Sequence, residues 1–253
     1  RALFAIAERT RDGGPELTYV SKGCTASTCQ ALVEIQSWDG TAWRNIGPPD
    51  LGIENLETAS FTGAGADSML VLRGGHLTSL GAGPSRSRTV TYLFDGTRYS
   101  AAKVEYDPPA YLYHAILDAD ALFESERWAE AIAAYRAAIV SPVLRDWKYE
   151  TQGLNGRAEL NAYALFRIAV ATAAAGENPT SVLDEVIVGG TDELFQRLAV
   201  AFRQGYQQGG SPQQGCLAVT SYLATPPLPA RLDEMFDYGT SNPRKTTLDI
   251  CPL

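Results

Sequence analysis

The sequence is poor in the residues on which many catalytic and nucleic-acid sites depend. It has two histidines and four lysines in 253 residues, and 29 acidic residues outnumber 21 basic ones, for a net charge of −8. A nucleic-acid-binding protein needs a concentrated basic face, which this composition does not supply, so we expect no nucleic-acid partner. The most apolar stretch, residues 163–175, is short and contains Arg167. The sequence therefore predicts a protein that does not span a membrane.

Motifs that carry catalysis are missing as well. The sequence has no Gly-x-Ser-x-Gly nucleophile motif, no His-Glu-x-x-His zinc motif, no phosphate-binding loop and no dinucleotide-binding glycine motif before a helix. We therefore expect a protein that is not an enzyme. Asp118, Asp120, Glu124 and Glu126 follow one predicted helix. We interpret these carboxylates as a solvated face in preference to a charged peptide-binding groove.

The four cysteines are few, but their positions are informative. Cys24 and Cys29 flank a short polar loop, whereas Cys216 and Cys251 lie in the last part of the chain. This arrangement favours two disulfides, Cys24–Cys29 and Cys216–Cys251, over four separate thiols. Because disulfides persist in oxidising compartments and the sequence starts at Arg1 without Met, we expect a processed extracytoplasmic protein, secreted or held at a bacterial cell surface.

A double proline at positions 108 and 109 separates two parts of the chain with different patterns. Before it, short β-branched and aromatic runs are broken by turns; after it, apolar residues recur every three or four positions. Proline disfavours helix in the residue before it, so this is a natural boundary. The sequence predicts an α+β protein of two domains, with an antiparallel β-rich domain over residues 1–107 and a helical domain over residues 109–253.

The β-rich part contains an internal repeat, over residues 1–48 and 53–104. The hexapeptide at 38–43, Trp-Asp-Gly-Thr-Ala-Trp, returns at 94–99 as Phe-Asp-Gly-Thr-Arg-Tyr. Asp-Gly between apolar residues predicts a tight β-hairpin. Upstream, residues 8–17 align with residues 60–69, and each segment leads into an apolar strand. Each repeat therefore predicts a four-stranded antiparallel sheet of the size of one propeller blade.

Residues 8–17, Glu-Arg-Thr-Arg-Asp-Gly-Gly-Pro-Glu-Leu, resemble the FG-GAP or VCBS type of propeller repeat, whose pattern is Asp-x-Asn/Asp-x-Asp-Gly-x-x-Asp/Glu-Leu. The resemblance implies a Ca²⁺-binding loop in which Glu8, Asp12 and Glu16 would be the ligands. The second repeat has Ser, Thr or Ala at the matching positions, so Ca²⁺ is an option at the first repeat only, and no other cofactor is expected. Two blades cannot close a propeller. Either further blades precede this sequence, or the two sheets face each other as a small sandwich, which we favour.

Residues 119–142 resemble a tetratricopeptide repeat. Small residues at Ala119, Ala131 and Ala138 let two helices approach closely, and the rings of Trp128 and Tyr135 fill the space between them. Looser helix pairs follow over residues 163–188 and 193–223, with a short helix over 230–238. The resemblance implies a helical solenoid that mediates protein–protein contacts, with a final segment fixed as a cap by the Cys216–Cys251 disulfide.

These features predict a non-enzymatic, extracytoplasmic scaffolding or protein-interaction protein whose partners are other proteins. A second hypothesis is a structural subunit of a surface filament, sheath or envelope complex, formed by self-assembly of copies of the chain. A third hypothesis is a glycan-active enzyme that uses two facing carboxylates.

Overall fold

The structure is a computed structural model that describes residues 2–7, 10, 14–25, 28–47, 52–63, 67–77 and 79–253. The chain divides into two compact units, residues 1–108 and 109–253, and each unit has a hydrophobic core of its own. The mixed α+β class predicted from the sequence is confirmed, because antiparallel sheets make up the first unit and helices the second. None of the described helices is long and apolar enough to cross a membrane.

The first unit contains two antiparallel sheets made of consecutive hairpins. Sheet A has the order β1-β2-β3-β4, with β5 added against β3, and sheet B has the order β6-β7-β8-β9. Among the described residues the two sheets do not form a closed propeller. The strands are β1 Ala2–Ala7, β2 Glu16–Cys24, β3 Cys29–Trp38, β4 Trp43–Asn45, β5 Gly52–Glu54, β6 Thr58–Thr62, β7 Met69–Gly74, β8 Arg88–Phe94 and β9 Tyr99–Tyr106.

Sheet A differs from the predicted four-stranded blade by its fifth strand. β4 is three residues long and pairs only with Gln36, Ser37 and Trp38 of β3. The earlier part of the same edge of β3 is therefore free, and β5 pairs there with residues 30–32. A strand edge left open by a short neighbour accepts another strand because its backbone groups need partners. The prediction of two four-stranded sheets is thus correct for sheet B and short by one strand for sheet A.

The two sheets share one core, and alternation along the strands decides which side chains enter it. In sheet A, Val33 and Ile35 are buried. In sheet B, Val90, Tyr92 and Phe94 are buried. Leucine, isoleucine and aromatic side chains from β5, β7 and β9 complete this core. Each sheet therefore covers one face of the other.

The second unit is helical. Its helices are α1 Leu112–Glu124, α2 Trp128–Val140, α3 Trp147–Gln152, α4 Gly156–Ala174, α5 Thr180–Gly189, α6 Glu193–Gly209, α7 Pro212–Leu223, α8 Leu228–Met235 and α9 Thr247–Ile250. α4 is the central helix, because it contacts α1, α2, α3, α5, α6 and α7. Most other contacts join helices that follow each other in the chain, such as α1 with α2 and α6 with α7. The predicted helix pairs are present as helices, and their likeness to a tetratricopeptide solenoid stays a prediction.

Helix ends in this unit are set by side chains that cap free backbone groups. Asp192 accepts hydrogen bonds from the amides of Leu194 and Phe195, which begins α6, and Gly210 ends that helix in the left-handed conformation. The side chain of Asn155 caps α4, so α4 begins seven residues before the predicted start at position 163. α4 carries Tyr163 and Arg167, two members of the polar cluster described below.

Candidate functional site

The hairpin between β3 and β4 holds two exposed tryptophans in a fixed geometry. Asp39 Oδ1 accepts hydrogen bonds of 2.8 Å from the Thr41 amide, the Thr41 hydroxyl and the Ala42 amide. Gly40 has φ of +95°, a conformation that glycine adopts without strain. The rings of Trp38 and Trp43 are 5.5 Å apart, and the residues are 41% and 47% exposed. The turn therefore presents two neighbouring aromatic rings to solvent.

The second repeat has the same turn but buries its aromatic pair. Asp95 Oδ1 accepts hydrogen bonds from the Thr97 amide at 2.8 Å, the Thr97 hydroxyl at 2.7 Å and the Arg98 amide at 2.9 Å. The rings of Phe94 and Tyr99 are 5.4 Å apart, and these residues are 8% and 0% exposed. One repeat thus exposes the aromatic pair that the other repeat encloses.

Sheet A is what encloses the second pair. The Tyr99 amide donates to the carbonyl of Ile46, which follows β4, at 2.7 Å. Val33, Ile35 and Ile46 of sheet A belong to the same apolar cluster as Tyr99. The side of sheet A that packs on sheet B is therefore the side opposite to Trp38, because successive residues of a strand point to opposite faces.

Strand register also shows that the open side of sheet A corresponds to the covered side of sheet B. Leu17 pairs with Gln36 in sheet A, and Leu70 pairs with Tyr92 in sheet B. Counted from the shared hairpin, Leu17 therefore corresponds to Leu70, one residue away from the Met69 of the sequence alignment. The two sheets therefore pack through non-equivalent sides: the inner side of sheet A corresponds to the outer side of sheet B.

The open side of sheet A, which we call the tryptophan face, is largely apolar. Cross-strand partners lie on the same face, so the pairs Ile6–Leu17 and Trp38–Trp43 share this side. Polar Glu34, Gln36 and Asn45 lie on the same side. The apolar members of the tryptophan face are exposed or half-buried: Ile6, Leu17, Tyr19, Leu32, Trp38 and Trp43.

Hydrogen bonding keeps both turn aspartates ionised. The amides of Ala42 and Thr41, together with the Thr41 hydroxyl, hold the pKa of Asp39 well below its usual range. The Thr97 hydroxyl, with the amides of Arg98 and Thr97, lowers the pKa of Asp95 to about 2. A carboxylate that accepts several hydrogen bonds resists protonation because only its charged form can accept them all. Both turns are therefore intact at neutral pH.

A second notable group is a buried polar cluster at the centre of the helical unit. Asp120 of α1 accepts hydrogen bonds from the hydroxyl of Tyr135 on α2 and from that of Tyr163 on α4, the latter at 2.7 Å. Its other oxygen lies 2.7 Å from Nζ of Lys245. Arg167 lies 3.5 Å from the Asp120 carboxylate and 3.6 Å above the ring of Phe123.

This cluster fastens the last segment of the chain to the helices. Arg167 donates to the carbonyls of Asp249 and Ile250, each at 3.3 Å. The hydroxyl of Tyr113 donates to the Pro243 carbonyl at 2.8 Å. Burial, reinforced by the Asp120 carboxylate, raises the pKa of the Tyr135 and Tyr163 hydroxyls well above the usual value. Both tyrosines therefore stay protonated and donate to Asp120. Asp120 in turn binds Lys245 of the last segment.

The two disulfides join the pairs predicted from the sequence. Cys24 is bonded to Cys29, across the loop between β2 and β3. Cys216 of α7 is bonded to Cys251, directly after α9. Such bonds are consistent with a secreted protein. The second one fixes the same final segment that Arg167 and Tyr113 hold by hydrogen bonds.

The residues predicted to pack the first helix pair lie at the α1–α2 contact and around the polar cluster. Ala119, Ala131 and Ala138 are buried, and so is Tyr135. Trp128 is only half-buried, because it is the first residue of α2 and packs edge-on against Phe123 at 4.8 Å on one side. Trp128 therefore packs against the helical core on one side and keeps part of its ring exposed to solvent.

The polar cluster was missed by sequence reasoning, although one signal pointed to it. Asp120 was interpreted as part of a solvated acidic face, but it is buried, and that interpretation is wrong for this residue. Arg167 interrupts the most apolar stretch of the sequence. A charge in such a position is paired when buried, so Arg167 indicates a buried acidic partner elsewhere in the chain.

The predicted Ca²⁺ ligands do not form a site that the structure can describe. Glu8 and Asp12 lie outside the described residues. Glu16 is buried and accepts hydrogen bonds from the hydroxyls of Thr10 at 2.8 Å and Ser37 at 3.3 Å. In the described part of the chain, no three His, Cys, Asp or Glu side chains are grouped so as to hold a metal ion.

Comparisons with known proteins do not assign a family to this chain. No protein-family model matches the chain, and neither a curated protein nor a solved structure is found to be similar to it. The resemblances to FG-GAP or VCBS repeats and to tetratricopeptide repeats therefore stay predictions.

Proposed function

We propose that this chain is a non-enzymatic protein-interaction module that acts outside the cytoplasm and binds its partner through the tryptophan face. The observation that supports the proposal is the contrast between the two repeats. Phe94 and Tyr99 are enclosed by a neighbouring sheet, while their counterparts Trp38 and Trp43 stay exposed. A face that is covered in one repeat and open in the next is suited to a further partner.

The chemistry of the tryptophan face fits a protein partner. Tryptophan and tyrosine are enriched among the residues that contribute most to protein–protein binding. Trp38 and Trp43 contact each other and flank a turn that Asp39 stabilises, so little side-chain freedom is lost when a partner binds. Glu34, Gln36 and Asn45 on the same side give the mixed polarity that is usual in interfaces between separately folded proteins.

Photo-crosslinking tests this proposal. A photoreactive phenylalanine analogue is placed at position 43, and the full-length protein is irradiated in the native extracytoplasmic fraction. The matched control carries the analogue at Val188 of the helical unit, which is 83% exposed. We expect discrete protein adducts from position 43 that disappear when Trp38→Ser is added, and none of the same adducts from position 188. Equal labelling from both positions, or no adduct from position 43, would contradict the proposal.

A structural subunit is the second candidate function, and one observation favours it. The outer side of sheet B is also incompletely covered, with Leu93 41% exposed. A chain with two different open sheet faces can bind a copy of itself at each one.

A further inference from the structure

We propose that the tryptophan face binds the outer side of sheet B of a second copy of this chain, so that copies associate head to tail. This inference rests on the proposed function and names the partner for the same surface. We call the part of this outer side nearest the β8–β9 hairpin the Leu93 face; it is formed by Met69, Val71, Thr91 and Leu93, which are cross-strand partners in β7 and β8.

The chain itself contains the contact that we propose between copies. The inner side of sheet A, with Val33 and Ile35, covers the side of sheet B that carries Tyr92, Phe94 and Tyr99. Sheet A corresponds to the first repeat and sheet B to the second. The tryptophan face of sheet A corresponds to the side of sheet B that sheet A covers. Its natural occupant is therefore a surface equivalent to the inner side of sheet A.

The Leu93 face is that equivalent surface. Counted from the shared hairpin, Leu93 corresponds to Ser37 and Thr91 to Ile35, and both Ser37 and Ile35 lie on the inner side of sheet A. Within one chain, sheet A covers Phe94 with the side that carries Ile35 and Ser37. In the proposed contact, sheet B of a second copy covers Trp38 with the corresponding side, which carries Thr91 and Leu93.

The Leu93 face has the chemistry that such a contact needs. Met69, Val71, Thr91 and Leu93 form an uncharged patch, in which Leu93 is exposed and the other three are half-buried. Arg73, Lys103 and Glu105 lie on the same side of sheet B, beside this patch. Methionine and leucine make favourable contacts with aromatic rings. The Trp38–Trp43 pair lies at the hairpin end of sheet A, and Leu93 lies at the hairpin end of sheet B. The large side chains therefore fall at matching ends of the two sheets.

The two faces differ, so the contact is heterologous. Each copy keeps one unoccupied face of each kind after the first contact, and association continues until a ring closes or a filament forms. The stacking of sheet A on sheet B inside one chain would thereby continue from chain to chain.

Complementation between two blocked variants tests this geometry. Trp43→Lys blocks the tryptophan face and Leu93→Lys blocks the Leu93 face, while Val188→Lys adds the same charge at an unrelated exposed site. All are full-length, disulfide-intact proteins whose folding is checked by circular dichroism. Sedimentation over a concentration series then measures association of each variant alone and of the two blocked variants mixed in equal amounts.

We expect the wild type and Val188→Lys to form assemblies larger than dimers as concentration rises. Each blocked variant alone should associate at least about 30-fold more weakly, the loss typical of a central interface residue. The mixture of the two blocked variants should give dimers of twice the chain mass and nothing larger, because each dimer retains only blocked faces.

Three results would overturn the inference. The first is a wild type that stays monomeric up to about 100 µM. The second is dimerisation of Leu93→Lys alone, through two tryptophan faces. The third is a mixture of the two blocked variants that does not associate. Crosslinks from position 43 to a different protein, with a monomeric wild type, would reject the inference and retain the proposed function. Absence of both crosslinks and association would reject the two together.

Discussion

Asp39 and Asp95 each complete a tight turn with a single carboxylate oxygen. In both turns that oxygen accepts one hydroxyl and two amide hydrogen bonds, and the intervening glycine has a positive φ. The ring centroids of the flanking aromatic residues are 5.5 Å apart in the first turn and 5.4 Å apart in the second. The repeats differ in that sheet A covers the pair Phe94–Tyr99, whereas the pair Trp38–Trp43 is exposed.

The hydrogen bonds to Asp95 predict a pH dependence of its turn. Because the folded pKa of Asp95, about 2, lies below that of an unfolded aspartate, near 3.9, the carboxylate stabilises the fold above about pH 4. This contribution is lost as the pH falls through 2. We expect a carboxyl ¹³C titration by NMR to show Asp95 with a midpoint near 2.

Thr97→Val tests whether the hydrogen bond from the Thr97 hydroxyl lowers the pKa of Asp95. The Thr97 hydroxyl makes the largest contribution to lowering the pKa of Asp95, so removing it should raise the midpoint, while the amide donors keep it below the usual value. At Asp39 the Thr41 hydroxyl donates in the same way and also lowers the pKa, so Thr41→Val should raise that pKa too. An unchanged pKa in either variant would show that the hydroxyl does not bind its aspartate as the structure describes.

At the scale of elements, the final segment of the chain acts as a strap across the helices. Residues 239–253 contact α4 through Arg167, α1 through Tyr113 and Asp120, and α7 through the disulfide. α9 begins with a capping box between Thr246 and Asp249, which lets so short a helix form there. The helices and this segment are therefore expected to unfold as one unit.

Removal of the Cys216–Cys251 bond should loosen this segment. The bond closes a 35-residue separation, for which the loop-entropy relation gives about 4 kcal/mol. In the variant Cys216→Ser/Cys251→Ser, we expect a lower melting temperature for the helical unit. Amide hydrogen exchange over residues 239–251 should be roughly tenfold faster or more.

Cys24→Ser/Cys29→Ser is the matched control. It removes a bond with a separation of only 5 residues, worth about 2 kcal/mol, and should leave exchange over residues 239–251 unchanged. If the first variant retained full protection in this segment, the contacts of Arg167 and Lys245 alone would be sufficient to hold it.

Elements were more accessible to sequence reasoning than the contacts between them. Local signals such as Asp39-Gly40, Pro212 and Gly210 specify turns and helix ends within a few residues, so hairpins and most helices could be predicted. The pairing of Asp120 with Lys245 joins residues 125 positions apart, and no local pattern encodes it. The packing of the two sheets through non-equivalent sides likewise depends on strand register, which only the paired strands reveal.

At the scale of the whole molecule, the two units have separate cores. The apolar cluster of the β unit and that of the helical unit have no residue in common. Each core can therefore unfold by its own cooperative transition. A change that weakens only one core should shift one transition and leave the other in place.

Asp120→Asn tests this independence together with the polar cluster. The change keeps the shape of the side chain but leaves the buried Arg167 and the half-buried Lys245 without their carboxylate partner. Breaking a buried ion pair on one side costs about 3–5 kcal/mol, so calorimetry should show the helical transition lowered by roughly 10 °C, while the β-unit transition stays where it is. Glu130→Gln, the same change in an exposed pair with Arg127, should leave both transitions nearly unmoved because solvent screens that pair. A single transition that moves as a whole in Asp120→Asn would mean that the two units unfold together, and equal effects of the two variants would mean that the Asp120 cluster contributes no more than a surface contact.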